Sequence, residues 1–352
     1  MRTKDSGGDS EAPLRVVFFG EPSSTFSRLH YEVLRRHRGV QISIWVATPD
    51  GGRSVQERAR FASLRDAAER LALRVALDAA MLRHFRVFPG SKLDRRHDVR
   101  FSRIRDEAGL AGELQELKPD LLISAGFRQI LPESILRLPA IGAFNCHPSP
   151  LPRYAGSNPW FWILRGGETE SAVTIHRMIQ QADAGDIVAQ KLFAVDSRTN
   201  HQALYNRTSL LSAQLLRDTV DCWLIGPVPE RPQNLAQRTC FSAPREHDFQ
   251  IDWNGTVDQI MNLVRASMPA PSAWTRIPGK ALALRIRHVA PKRSMTGDAG
   301  RVLKVDAEGI VVGCGDGAIV VRRGGVSHHE LGGVRLARLL GISAGDQLES
   351  SC

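Results

Sequence analysis

Apolar positions in the first half of the chain fall into short continuous runs separated by segments of helical spacing. Leu14 to Phe19 is one such run, closed by Gly20, and predicts a buried strand. Ile42 to Val46 predicts a second, with a helix over Phe26 to Arg36 between them and another amphipathic segment over Ser54 to Leu73. Further on, Ala111 to Leu117 reads as helix, Asp120 to Ser124 as a buried strand, Pro132 as the start of a short helix, and Ile141 to His147 as another strand. The prolines of PSPLPRYAGSNP then impose a rigid loop leaving a strand tip. Asn158 and Pro159 form an N-cap and first-turn pair for a helix through Leu164. Strands over Ala172 to Met178 and Ile187 to Phe193 flank a loop, Gln180 to Gly185, and a long amphipathic helix runs from His201 to Leu224. This alternation predicts an α/β fold with a mostly parallel sheet and a site at the carboxyl ends of its strands.

Past Pro227, Pro229 and Pro232 the pattern changes. One helical segment, Ile251 to Ala266, precedes short strands at Ala281 to Val289, Gly300 to Val305, Ile310 to Gly313 and Ala318 to Arg322, joined by Gly-rich and Asp-rich turns. That pattern predicts a small β-barrel. The expected organisation is a disordered leader (1–13), a catalytic domain (14–225), a linker (226–247), a barrel domain (248–338) and a tail (339–352).

With 352 residues and 42% hydrophobic side chains, the chain has enough apolar surface for two cores. No apolar stretch is long enough for a membrane helix, so no membrane partner is expected. Five scattered cysteines without a CxxC pair predict neither a disulfide framework nor a zinc site, and a reducing, cytoplasmic setting fits them best. The formal net charge of +10 favours an anionic partner. Its densest part is Arg83 to Arg105, where eight Lys/Arg face only Asp94 and Asp98.

Candidate chemistry centres on three polar residues. Alternate strand residues share a face, so Asn145 and His147 point the same way while Cys146 turns inward. His147 suits proton transfer near neutral pH, and the Asn145 amide suits stabilisation of a carbonyl oxygen that becomes negative. Asp183, in the loop after the next strand, would orient His147 or relay protons through water if the fold brings it close. Taken singly, each has an ordinary reading as a turn or cap group. His176 is set aside as mid-strand, His201 as a helix opener, and the His328-His329 pair as a surface turn without a third ligand.

The stretch Ala143 to Gln190 resembles the 10-formyltetrahydrofolate-dependent formyltransferases, with their Asn-x-His-x-Ser-x-Leu-Pro-x-Tyr segment and Asp-x-Gly loop. The resemblance implies a Rossmann-like formyltransferase domain followed by an OB-like barrel. It implies catalysis by Asn145, His147 and Asp183 with Ser149 in support, and no metal. A slot for the folate co-substrate is implied along Ala125, Gly126, Phe127, Ile130 and Leu131, and along Ala182, Gly185 and Asp186. Tyr154, Ser157, Asn158 and Trp160 fall on the acceptor side. Phe249 to Arg285 is similar to the second domain shared by methionyl-tRNA formyltransferases and some nucleotide-sugar formyltransferases. Methionyl-tRNA is therefore the expected acceptor, helped by thirteen Lys/Arg against eight Asp/Glu over residues 248–338. A small amine, such as a nucleotide-linked amino sugar or a hydroxylated amino acid, is the alternative. It is suggested by Ala155, where the tRNA enzymes carry Arg, and by a weak match over Gly51 to Arg60.

Overall fold

The computed structural model describes residues 12–21, 23–47, 99–101, 107–280, 283–326 and 330–351. The expected leader up to residue 11, the Ser54 to Leu73 helix, nearly all of the basic Arg83 to Arg105 segment and the His328-His329 pair lie outside them. The first domain runs β1 (Leu14–Gly20), α1 (Thr25–Arg36), β2 (Val40–Ala47), β3 (Val99–Phe101), α2 (Glu107–Leu117), β4 (Leu121–Ala125), α3 (Glu133–Leu136) and β5 (Gly142–His147). It continues with β6 (Ala155–Gly156), α4 (Pro159–Arg165), β7 (Glu170–Arg177), β8 (Ile187–Ala194) and α5 (His201–Ile225). Seven strands form one sheet in the order β3-β2-β1-β4-β5-β7-β8. Pairing is parallel through β5 and antiparallel from β5 to β7 and β8.

Side-chain alternation sorts this sheet into two dry faces. Val16 and Phe18 of β1, Leu121 and Ile123 of β4, and Phe144 and Cys146 of β5 pack with α1 and α5. Val17, Phe19, Leu122 and Ala143 pack on the other face with Leu110 and Leu114 of α2 and Ile135 of α3. Asn145 and His147 continue the Ala143 face. Helix α3 is only four residues long and packs at Ala143. The carboxyl end of β5 is therefore left to loops, and the site forms there.

Between the domains, β9 (Cys240–Phe241) pairs with β6, and the second domain contains α6 (Val257–Ala266), β10 (Ala273–Arg276), β11 (Ala283–Pro291), β12 (Val302–Asp306), β13 (Gly309–Cys314), β14 (Gly317–Gly325), β15 (Leu331–Gly332) and α7 (Gly333–Leu340). Its antiparallel sheet has the order β10-β11-β14-β13-β12, with β15 on β14. The helix expected from Ile251 starts only at Val257. A reciprocal capping box between Thr256 and Gln259 fixes its first turn, while Ile251 and Trp253 reach the core as alternate residues of an extended segment. Within the expected tail, Leu340, Ile342 and Leu348 are buried in this core. Glu349 bridges Arg276 of β10, Gln347 bridges Arg301 beside β12, and Leu348 is buried between them, so the segment ties the first strand of the sheet to the last. Phe161 and Leu164 of α4 share one apolar cluster with Val257 and Ile260 of α6, so the two domains meet through a continuous core.

Candidate active site

Asn145, His147 and Asp183 come together at the carboxyl end of β5. Asp183 Oδ1 lies 3.5 Å from His147 Nδ1 and 3.4 Å from Asn145 Nδ2. Its other oxygen, Oδ2, accepts the Gly156 N–H at 2.8 Å. Asp183 stands in a left-handed backbone conformation, φ 55°, which aims its carboxylate back over β5. Gly185 then passes so close to the Arg177 carbonyl that a Cβ there would lie 2.1 Å from its oxygen. This crowding is the physical reason for the Asp-x-Gly spacing.

His176, set aside from the sequence, is the fourth member of the group. Antiparallel pairing of β7 with β5 puts it directly opposite Asn145. Its Nδ1 donates to the Arg177 carbonyl at 2.8 Å, so Nε2 carries the lone pair in the neutral ring and accepts from Asn145 Nδ2 at 3.2 Å. Nε2 also lies 3.4 Å from Asp183 Oδ1. The signal that could have found it is the antiparallel register of β7 on β5, which a mid-strand position alone does not reveal.

His147 is 6% exposed. Its Nε2 donates to the Tyr154 carbonyl at 3.1 Å, leaving Nδ1 as the unprotonated atom of the neutral ring, facing Asp183. Burial drives its pKa below the usual imidazole value, against an upward pull from Asp183. For Asp183, burial pushes upward but is outweighed by the Gly156 N–H and by His147 and His176 when their rings carry a proton toward it, which together hold the carboxyl below its ordinary range. At neutral pH the site thus presents a neutral imidazole beside an ionised carboxylate. Taking a proton on Nδ1 gives an imidazolium with an acceptor on each side, Tyr154 O and Asp183. Burial raises the Cys146 thiol well above its usual value and buries it on the opposite face, away from this chemistry.

The remaining candidates divide. Ser149 donates to the Arg153 carbonyl at 3.1 Å, and its own carbonyl accepts from Thr174, so it shapes the loop after β5 without touching His147. Tyr154 meets the site through its carbonyl, while its ring stacks on Phe241 and its hydroxyl donates to Glu168. Ser157 is held to the Phe241 carbonyl through its backbone N–H. Asn158 occupies the N-cap position of α4 but is left-handed and makes no side-chain cap bond. Its Oδ1 instead accepts from His201 Nε2 at 2.9 Å. Trp160 packs against Phe26, Tyr205 and His201 and donates its indole N–H to Thr208.

Along the expected folate slot, Ala125 accepts from Ser27, Gly126 is left-handed, Phe127 packs edge-on to Phe19, and Leu131 is buried. Ile130 is 68% exposed, and Ile179, just before the Asp183 loop, is 43% exposed. The Ala182 and Gly185 carbonyls turn toward the interdomain segment, and the Asp186 carbonyl accepts from Arg177 N. A cavity of about 360 Å³ opens at the start of the Asp183 loop, lined by Leu136, Gly142, Met178, Ile179 and Gln180 among others. None of the eight expected slot residues lines it.

Comparison with known proteins places this geometry in a family. Residues 14–220 match the formyl transferase family, and residues 245–327 match the formyl transferase C-terminal domain. A methionyl-tRNA formyltransferase of Geobacter metallireducens is 37% identical over 211 residues, which are 60% of this chain and 67% of that protein. Among solved structures, HypX of Aquifex aeolicus in complex with tetrahydrofolic acid superposes with a TM-score of 0.57 at 19% identity. The match covers 94% of this chain and 47% of HypX, so the chain spans about half the length of that protein. An N-formyltransferase of Helicobacter canadensis, in complex with folinic acid and dTDP-3-aminofucose, gives 0.58 at 18% identity over 88% of this chain and 98% of the other. The two-domain match, together with the Asn145, His147 and Asp183 cluster at the end of β5, makes this chain a member of the formyl transferase family.

Proposed function

We propose that the protein transfers the formyl group of 10-formyltetrahydrofolate to the amine of methionyl-tRNA. The convergence of Asn145, His147 and Asp183 on one point carries this reading. The acceptor nitrogen attacks the formyl carbon while His147 Nδ1 takes its proton, and the carbonyl electrons move onto oxygen. One Asn145 N–H is held by His176, and the other makes only a long contact to Asp183 that a developing oxyanion outcompetes. The imidazolium is balanced by Asp183. Collapse breaks the bond from the formyl carbon to N10, which regains the proton from His147, leaving a formamide and tetrahydrofolate.

Exposed Ile130 and Ile179 suit a co-substrate with a flat, largely apolar ring system, which would remove such surface from water. The Geobacter relative's name supports methionyl-tRNA as acceptor. So does the charge of the second domain, where Arg322 of β14 and Arg335 and Arg338 of α7 are exposed without an acidic partner among the described residues. Such side chains suit a phosphate backbone.

The test is tetrahydrofolate release from 10-formyltetrahydrofolate with charged initiator tRNA, amino-sugar nucleotides and hydroxylated amines offered separately. Turnover with methionyl-tRNA, abolished in His147→Ala while folate binding persists, is the expected result. Turnover with a small amine alone would reassign the acceptor, and no release with any of them would refute formyl transfer.

A further inference from the structure

The segment joining the two domains is stitched to the catalytic loop along its length. Arg231 and Ile187 exchange two backbone hydrogen bonds of 2.8 Å. Gln233 Nε2 donates to the carbonyls of both Asp183, at 3.0 Å, and Gly185, at 2.6 Å. Arg238 donates to the Ala182 carbonyl at 3.0 Å. Gln233 and Arg238 therefore engage the turn that carries the proposed catalytic carboxylate, and Arg231 pins the strand that follows it.

The same strap holds the opposite wall. Ala155 N donates to the Thr239 carbonyl, Tyr154 N to Thr239 Oγ1, and Ser157 N to the Phe241 carbonyl. The Phe241 ring is sandwiched between Tyr154 and Trp162. Gly156, at φ 93°, runs so close to Phe241 that a Cβ would come 2.2 Å from its carbonyl oxygen. Tyr154 O and Gly156 N are the two backbone atoms that hold His147 and Asp183. Both walls of the site thus depend on residues 231–241.

Gln233 is the centre of this arrangement. Its Oε1 is buried without a hydrogen-bond partner among the described residues, so the carboxamide satisfies the loop carbonyls at its own expense. Turning the amide over would set an oxygen against two carbonyl oxygens. The left-handed Asp183 persists only while its surroundings over-determine it, and the bifurcated bond from Gln233 supplies that constraint.

We propose that Gln233 is a positioning residue: from the interdomain strap it fixes the Asp183 turn and thereby the approach of Asp183 to His147. Its catalytic consequence rests on the formyl-transfer reading, whereas its effect on His147 does not. The titratable groups facing His147 are Asp183, which raises its proton affinity, and His176, which lowers it. Loosening the Asp183 turn therefore moves the His147 titration to lower pH.

The experiment compares the full-length protein with Gln233→Met, which keeps the length of the side chain and removes its donors. Arg238→Ala serves as a second, milder variant. The His147 imidazole titration is followed by NMR without substrate, and kcat and KM are measured alongside. A downward shift of the titration, with kcat reduced by about 10- to 100-fold and KM little changed, is expected. An unmoved titration overturns the proposal, including the case where kcat falls only in proportion to folded protein. A shifted titration in a protein that transfers no formyl group upholds the positioning role and rejects the formyl-transfer reading.

Discussion

Asp183→Asn removes the charge of the proposed catalytic carboxylate with almost no change of shape. In the proposed reaction His147 becomes an imidazolium with Nδ1 facing Asp183 Oδ1 at 3.5 Å. Two unit charges at that separation, with an effective dielectric of about 20, attract by about 5 kcal/mol. At about 1.4 kcal/mol per decade, losing that attraction slows the chemical step by roughly 10³-fold. The amide oxygen can still accept the Gly156 N–H, so the turn is retained. The new NH₂ group, however, donates into His147 Nδ1 and occupies the atom that must take the proton. Single-turnover formation of tetrahydrofolate at saturating substrates measures the effect, with circular dichroism and folate affinity confirming an intact fold. A loss of less than about 10-fold in a folded variant would refute the assigned role.

Two further outcomes follow from the packing. His30 is buried between α1 and α5, donating to the Phe26 carbonyl and accepting from Ser212, and burial lowers its pKa to about 4. The unfolded chain binds this proton near pH 6.5 and the folded one does not. The stability it contributes is therefore complete above about pH 6.5 and is lost as pH falls toward about 4, by about 3 kcal/mol in all. Urea unfolding across that range should give His30→Gln a slope shallower by about one proton, and equal slopes would contradict the reasoning. Leu348→Ala should cost roughly 2–5 kcal/mol by opening the core beneath the closing segment of the second domain. Thermal unfolding reads this directly, and an unchanged midpoint would mean that residues 346–349 do not hold the barrel shut.

Much of the site was legible because strand periodicity is local. An apolar run ending in Asn-x-His dictates that two polar groups leave one face together, and burial of Cys146 on the other face is the same fact. Asp183 is legible as a loop carboxylate, but its approach to His147 rests on the resemblance, since nothing in a loop sequence says which strand end it folds over. His176 was misread because its environment is set by its antiparallel partner, 31 residues away. The interdomain segment was read as a plain linker because prolines report an extended path but not what the path touches.

The sequence by itself determined most strands and helices among the described residues, the α/β-then-β order, the face on which Asn145 and His147 emerge, and the family. These depend on patterns within a few residues of one another, and hydrophobic burial enforces them wherever the chain goes. Tertiary structure alone decided that His176 joins the site and that the last residues close the barrel. It also decided that Gln233 and Phe241 brace the catalytic walls. Those outcomes depend on pairing register and on hydrogen bonds between segments about 50 to 85 residues apart, as with Gln233 to Asp183 and Thr239 to Tyr154. No local pattern records such bonds, because each partner alone is an ordinary polar group satisfied equally well by water.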